Sequence, residues 1–253
     1  MLKFLYFGDD DMTRAAAYLC GIMTHAGFPF ERVDSTQSPT DALLQEPYSA
    51  YILSDYPRGR FLPGQLETIC NAVKNGAGLA MFGGWESYYG LLGEYHGTVL
   101  DDVLPITMLH KDDRRNFAQG VLLSPAVQSH SILDDLPWEI PPLVGGLNEF
   151  SVKPDAKVLL NGCPLSIQTN GNRFDFGFAS KTYPMLVVGE YGNGRTAALA
   201  TDVAPHWVGG FVDWGQQRIT QPLPNGGSVE IGEHYAKFFV QLLHWLGDIA
   251  RSC

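Results

Sequence analysis

Gly76-Ala-Gly-Leu-Ala-Met-Phe-Gly-Gly-Trp-Glu-Ser-Tyr-Tyr-Gly90 divides into an apolar run at 79–82 and a glycine-broken, polar and aromatic sequel. A strand buried on both faces of a parallel sheet reads as such an uninterrupted apolar run. Gly83-Gly84 then marks a tight turn at its carboxyl end. Just upstream, Leu66, Ile69, Cys70 and Val73 fall at helical spacing within 63–75. Pro63 sits near the start of that helix and Gly76 just past its end, the usual asymmetry of helix termini. Further back, 3–7 reads as a strand ending at Gly8, 13–25 as a helix stopped by Gly27, and 31–34 as a second strand. A third strand is expected at 50–54, ending at Asp55. Strand and helix thus alternate through the first hundred residues, which predicts right-handed βαβ units and a parallel sheet.

Downstream the pattern loosens. Pro105, Pro125, Pro137, Pro141 and Pro142 punctuate 99–150, which reads as an irregular elaboration within a single domain spanning 1–253. Strands are expected at 158–160, 166–168, 185–191 and 195–200, the last two joined by a hairpin at Tyr191-Gly-Asn-Gly194. A final helix over 233–249 carries Tyr235, Phe238, Phe239, Leu242, Trp245, Leu246 and Ile249 as an apolar stripe, which reads as core packing.

With 253 residues, 45% of them hydrophobic, the chain can bury roughly 70% or more of its unfolded surface without a metal or disulfide. Its 17 basic and 27 acidic residues leave a net charge of −10, the wrong sign for nucleic acid or an anionic membrane. Cys20, Cys70, Cys163 and Cys253 form no CxxC pair, which favours a reducing compartment and argues against a cysteine zinc site. The apolar start at residues 1–7 is too short for a signal peptide or a membrane span and runs into Asp9-Asp10-Asp11. A cytoplasmic protein is the expectation.

Ligands in an open parallel sheet gather beyond the carboxyl ends of the strands, at a topological switch point. That rule selects Gly8, Asp9 and Asp10 after the first strand, and Ser54 and Asp55 after the third. It selects Gly83, Gly84, Trp85, Glu86 and Ser87 after the fourth, and Asp202, His206 and Trp207 after the last. Glu86, Asp202 and His206 are the candidates for acid–base work, and the others for ligand binding. Each has an ordinary alternative. Asp10 or Asp11 can cap a helix, Asp55 can form a turn, and Asp202 and His206 can bond nearby backbone. His25, His96, His110, His130, His234 and His244 show no metal-like spacing such as i, i+4. There is no GxGxxG after the first strand and no Walker A pattern. No cofactor and no metal are expected.

Several blocks carry a family resemblance. Tyr51-Ile-Leu-Ser-Asp55, Gly76-Ala-Gly-Leu-Ala-Met-Phe-Gly-Gly84 and Val103-Leu-Pro105 come first. Gly189-Glu-Tyr-Gly-Asn-Gly-Arg195 and Ala200-Thr-Asp-Val-Ala-Pro-His-Trp207 follow in order. Together they resemble the glutamine amidotransferase-like family of bacterial cytoplasmic proteins, related in fold to class I glutamine amidotransferases and to trehalose-utilisation proteins. The resemblance implies a flavodoxin-like, three-layer αβα fold with a mainly parallel sheet. True amidotransferases of this fold carry a Gly-X-Cys-X-Gly elbow and a later His-X-Glu pair. Here the elbow reads Gly83-Gly84-Trp85-Glu86-Ser87, and His206 is followed by Trp207 and Val208. Thiolate catalysis needs a sulfur and a base, so glutamine hydrolysis is not expected.

Two functions remain open on the sequence. One is an enzyme acting on a small polar, sugar-like molecule, with Asp55, Asp202 or Glu86 as acid or base, His206 as titratable partner, and Trp85 and Trp207 as flat apolar faces. The other is a non-catalytic pseudoenzyme that binds a metabolite or joins an assembly. A homo-oligomer is then expected, with the aromatic segment 206–214 as interface or lid.

Overall fold

The structure, a computed structural model, describes residues 2–223 and 227–247. The His206 side chain, Ile249 and Cys253 lie outside what is described.

The apolar runs become the central strands. The first half of the chain supplies β1 (Phe4–Gly8), α1 (Ala16–His25), β2 (Phe30–Val33), α2 (Asp41–Leu44), β3 (Ala50–Ser54), α3 (Gln65–Lys74), β4 (Gly78–Phe82) and α4 (Leu100–Val103). Strand β3 matches its expected bounds, and β1, β2 and β4 fall within one residue of theirs. Helix α1 begins later than its apolar period suggests. The Asp11 carbonyl accepts from the N–H groups of Arg14 and Ala16 at 3.0 and 3.2 Å, so the chain first makes a tight turn.

The second half supplies β5 (Ile106–Met108), β6 (Arg114–Pro125), β7 (Leu143–Asn148), β8 (Phe150–Val152), β9 (Lys157–Asn170) and β10 (Arg173–Phe178). Strands β11 (Tyr183–Tyr191) and β12 (Gly194–Leu199), helix α5 (Pro205–Val208), the hairpin β13 (Arg218–Pro222) and β14 (Ser228–Gly232), and α6 (Glu233–Gly247) complete it. The stretch 99–150 therefore holds two strands of the main sheet, β6 and β7. Their period is hard to read because the ladder shifts register between Asn116 and Val121. Strand β9 fuses two expected strands into one, while β10 and the β13–β14 hairpin are not anticipated by the sequence pattern.

The ten-stranded sheet runs β2-β1-β3-β4-β12-β11-β9-β6-β7, with β10 on β9. Its flavodoxin-like part, β2-β1-β3-β4-β12, is parallel, and the extension from β11 onward is antiparallel. This is the mixed α/β architecture with a large, mainly parallel central sheet that the resemblance implies. Helices α1 and α6 pack together on one side of it, and α2, α3 and α4 on the other. Every residue of β1, β3 and β4 is buried, and each large apolar side chain so buried contributes about 1.5–3 kcal/mol. The strand order reverses between β1 and β3, which places a switch point at their carboxyl ends.

Candidate functional site

At that switch point lies a cleft of about 380 Å³ lined by Asp9, Asp10, Ala15, Ser35, Thr36, Asp55, Arg60, Trp85 and Glu86. The parallel register sets Gly8 beside Ser54, so Asp9 and Asp55 leave adjacent strands side by side. The Asp9 N–H donates to the Asp55 carbonyl at 3.4 Å. Both aspartates adopt left-handed backbone, with φ of 51 and 45°. For non-glycine residues this costs about 1–3 kcal/mol each and persists where surrounding structure enforces it. The enforcement is visible. Arg32 donates to the carbonyls of Gly8 and Asp9 at 3.0 and 2.5 Å, and the buried Tyr6 hydroxyl donates to Asp9 Oδ2.

Asp55 is held from the next turn. Its N–H donates to Ser87 Oγ at 3.0 Å, and its Oδ1 accepts from the Glu86 N–H at 2.8 Å. Burial, followed by the negative charge of Asp202, pushes the Asp55 carboxyl well above the usual carboxylate range. Glu86 is half-buried at the rim, and its carboxyl is also raised by burial, which outweighs the pull of Arg60 with a smaller push from Asp10. Arg60 is fixed by Nε donation to the Ser35 carbonyl at 2.9 Å. Asp202 is fully buried, and its Oδ1 accepts from the N–H groups of Val203 and Ala204 at 2.5 and 2.9 Å. The site thus gathers carboxyl groups between two fixed guanidiniums, Arg60 in the cleft wall and Arg32 against the Gly8–Asp9 backbone.

The glycine turn has no room for a nucleophile at its second position. A Cβ on Gly84, at φ 156°, would lie 2.0 Å from Asp55 Oδ1. The backbone of Gly84 is further engaged by Asn148, whose Oδ1 accepts from its N–H at 2.8 Å and whose Nδ2 donates to its carbonyl at 3.1 Å. Asn148 Nδ2 also donates to the buried Asp113 at 2.7 Å. Ser87 is buried, its hydroxyl spent on Asp55. Cys20 and Cys70 are buried elsewhere, with thiols pushed up to about 12 by desolvation, which suppresses the thiolate.

Of the sequence candidates, the structure brings Asp9, Asp10, Asp55, Trp85 and Glu86 into the cleft wall. Gly8, Gly83 and Gly84 shape the turns behind it, and Ser87 and Asp202 act on Asp55 from beneath. Ser54 is fully buried and its Oγ has no hydrogen-bond partner among the described residues. Trp207 is buried away from the cleft wall, with Nε1 donating to Asn116 Oδ1 at 2.9 Å. His206 lies on α5, shortly after Asp202. Arg60, Ser35 and Thr36 are cleft residues that the strand-end rule did not select. Arg60 closes the single 3-10 turn Arg58–Arg60 after Asp55, and two arginines, Arg58 and Arg60, so near an acidic strand end were the available signal. Among the described residues, no group of three or more His, Cys, Asp or Glu could hold a metal ion.

A family model described as putative glutamine amidotransferase matches residues 50–220. No curated protein matches the chain in sequence. Among solved structures, the Cytoplasmic Protein STM1381 from Salmonella typhimurium LT2 is 25% identical at a TM-score of 0.72, over 97% of this chain and 99% of that one. The Cytoplasmic Protein STM3548 from Salmonella typhimurium is 24% identical at 0.72, over the same shares. A ThuA-like protein from Bacteroides uniformis ATCC 8492, 14% identical at 0.55 over 97% and 91% of the two chains, shares the fold alone. Among the described residues, no helix is long and apolar enough to cross a membrane.

Proposed function

The chain belongs to the glutamine amidotransferase-like family, and we propose that its switch-point cleft is an acid–base site for a neutral, hydroxyl-rich small molecule. The observation that carries this reading is Asp55, held in left-handed backbone with a carboxyl that keeps its proton above the ordinary range. A carboxylic acid protonated nearer to neutral pH can donate that proton to a reacting oxygen. Glu86 at the rim, raised less directly and open to the cleft, is the partner that accepts or returns a proton.

The ligand class follows from charge and size. Four carboxyl groups, Asp9, Asp10, Asp55 and Glu86, line the cleft with Arg60, so an anion meets no surplus of positive charge there, while carboxyl groups in both protonation states and a guanidinium suit hydroxyl groups of both hydrogen-bond senses. Trp85, 48% exposed, offers an indole face to the apolar side of a ring. A volume of about 380 Å³ lies at the small end of the ~300–1,000 Å³ typical of ligand sites. Thiol-dependent glutamine hydrolysis is not part of this function, because the turn at 83–87 holds Trp85 at the nucleophile position and no cysteine. The protein acts in the cytoplasm on this reading, in keeping with its similarity to two cytoplasmic proteins of Salmonella.

One observation favours a binding-only alternative: Ser87, the turn's hydroxyl, is buried and committed to Asp55. A thermal-shift screen with sugars, sugar acids and polyols separates the cases, run on wild type, Arg60→Ala and Asp55→Asn. The acid–base reading expects neutral polyols to raise Tm, Arg60→Ala to abolish the shift, and Asp55→Asn to keep it while any turnover of the hit is lost. A flat screen sinks the small-molecule site. A hit that wild type never converts leaves the binding module.

A further inference from the structure

Strand β9 outruns the sheet. Its first part pairs with β11 and β6 as far as Pro164. From Leu165 to Asn170 it pairs only with β10, through a hairpin whose closing residues are Asn170 and Arg173. Every residue from 167 to 182 is exposed.

Residues directly opposite in an antiparallel pair share a face, and successive residues alternate faces. Phe174, Phe176 and Phe178 therefore stand with Thr169, Ile167 and Leu165 on one side of this arm. Arg173, Asp175 and Gly177 stand with Asn170, Gln168 and Ser166 on the other. The arm has one apolar and one polar face, the pattern of a strand pair with something packed on it. Among the described residues nothing is: Phe174, Phe176 and Phe178 are 63, 78 and 62% exposed and Ile167 is 45%. A two-stranded hairpin alone is marginal in water and needs a further layer.

We infer that this apolar face is a contact between two copies of the chain, arm packed on arm about a two-fold axis. Each copy carries a net charge of −10, so a self-contact must exclude like charges. This face does so, since Arg173 and Asp175, the charged residues of the paired strands, lie on the opposite side. The area is also adequate. At about 150–250 Å² for a fully buried aromatic, the exposed parts of the three phenylalanines supply roughly 400 Å² per copy. Two copies then bury roughly 800 Å² before Ile167, Leu165 and backbone are added, close to the ~1,000 Å² that marks a specific interface. The same patch on both partners is what a two-fold dimer requires.

Sedimentation velocity at tens of micromolar tests the inference with wild type, Phe176→Asp on the apolar face and Gln168→Asp on the polar one. The expected result is a dimer for wild type and Gln168→Asp. Phe176→Asp should be a monomer with self-association weakened at least tenfold, a cooperative melting curve, and a Tm no lower than that of wild type diluted until it dissociates. Should Phe176→Asp lose that curve, Phe176→Ser replaces it with the same expectation. A monomeric wild type, a dimeric Phe176 variant, or dissociation by Gln168→Asp overturns the inference. So does a monomeric wild type that binds neutral phosphatidylcholine vesicles, which assigns the face to lipid.

Discussion

Asp55 sits in the folded protein with its carboxyl pushed up by burial and by Asp202, and that has a sign in stability. An acid whose folded value is raised binds its proton more tightly folded than unfolded. Its ionisation therefore costs the folded state, and stability falls as pH rises from the unfolded aspartate value, about 3.9, through the folded one. Asp55→Asn removes the ionisation while keeping an oxygen for the Glu86 N–H. Melting temperatures across the pH range should place this variant above wild type at pH 7, with the gap closing toward about pH 4. A variant below wild type at neutral pH would mean that the charge is satisfied where it sits. Gly84 makes the opposite point. Its missing Cβ leaves 2.0 Å to Asp55 Oδ1, so Gly84→Ala or Gly84→Cys must push that carboxyl aside or strain the turn. Urea titration should show a loss of about 1–3 kcal/mol, and the cysteine variant should gain no glutaminase activity.

At the scale of elements, the site depends on a strand far along the chain. The carboxyl end of β7 returns over β4 and β12: the Asn148 N–H donates to the Ala200 carbonyl at 2.8 Å, and its amide clasps Gly84 and Asp113. Asn148→Ala leaves a buried N–H and carbonyl at Gly84 unpaired and strips one donor from Asp113. At about 1–3 kcal/mol for each of the two orphaned buried groups, the expected loss is about 2–6 kcal/mol in urea unfolding. The same contacts explain what could be read in advance. The ends of β1, β3 and β4 were legible because an apolar run meeting Gly or Asp is a local signal, and it located Asp9, Asp55 and Glu86. Asn148 acts 64 residues from Gly84, and no spacing rule joins them. Arg60 closely follows Asp55 in sequence, but the bond to the Ser35 carbonyl that turns it into the cleft spans 25 residues and leaves no local signal. Strand β10 was missed because Phe174, Phe176 and Phe178 alternate with Arg173, Asp175 and Gly177 in a segment that touches no core, and the period marks a strand without marking its partner.

Across the whole molecule, the parallel strands carry the cleft and the antiparallel extension carries the arm, both beyond the carboxyl edge of one sheet. The question is whether the arm serves the cleft. Its base lies close by in connectivity: Lys181, just after the arm, pairs with Glu149, which also bonds Arg115 Nε at 2.9 Å. The neighbouring Arg114 stacks its guanidinium 4.9 Å from the Trp85 ring centroid. The arm itself lines no part of the cleft, and its side chains are exposed, so it adds little to the folding of one chain. Excising 166–178 and closing the gap with an Asn-Gly turn keeps the Ala179 N–H bonded to the Pro164 carbonyl. Thermal and urea unfolding of the armless chain should then stay within about 1 kcal/mol of the monomeric Phe176→Asp variant, the range of surface changes and shortened loops. Any ligand-induced Tm shift should survive intact. Loss of that shift with a stable fold would place the arm in the site's function, and loss of the fold would mean that β9 needs β10 to hold its place in the sheet.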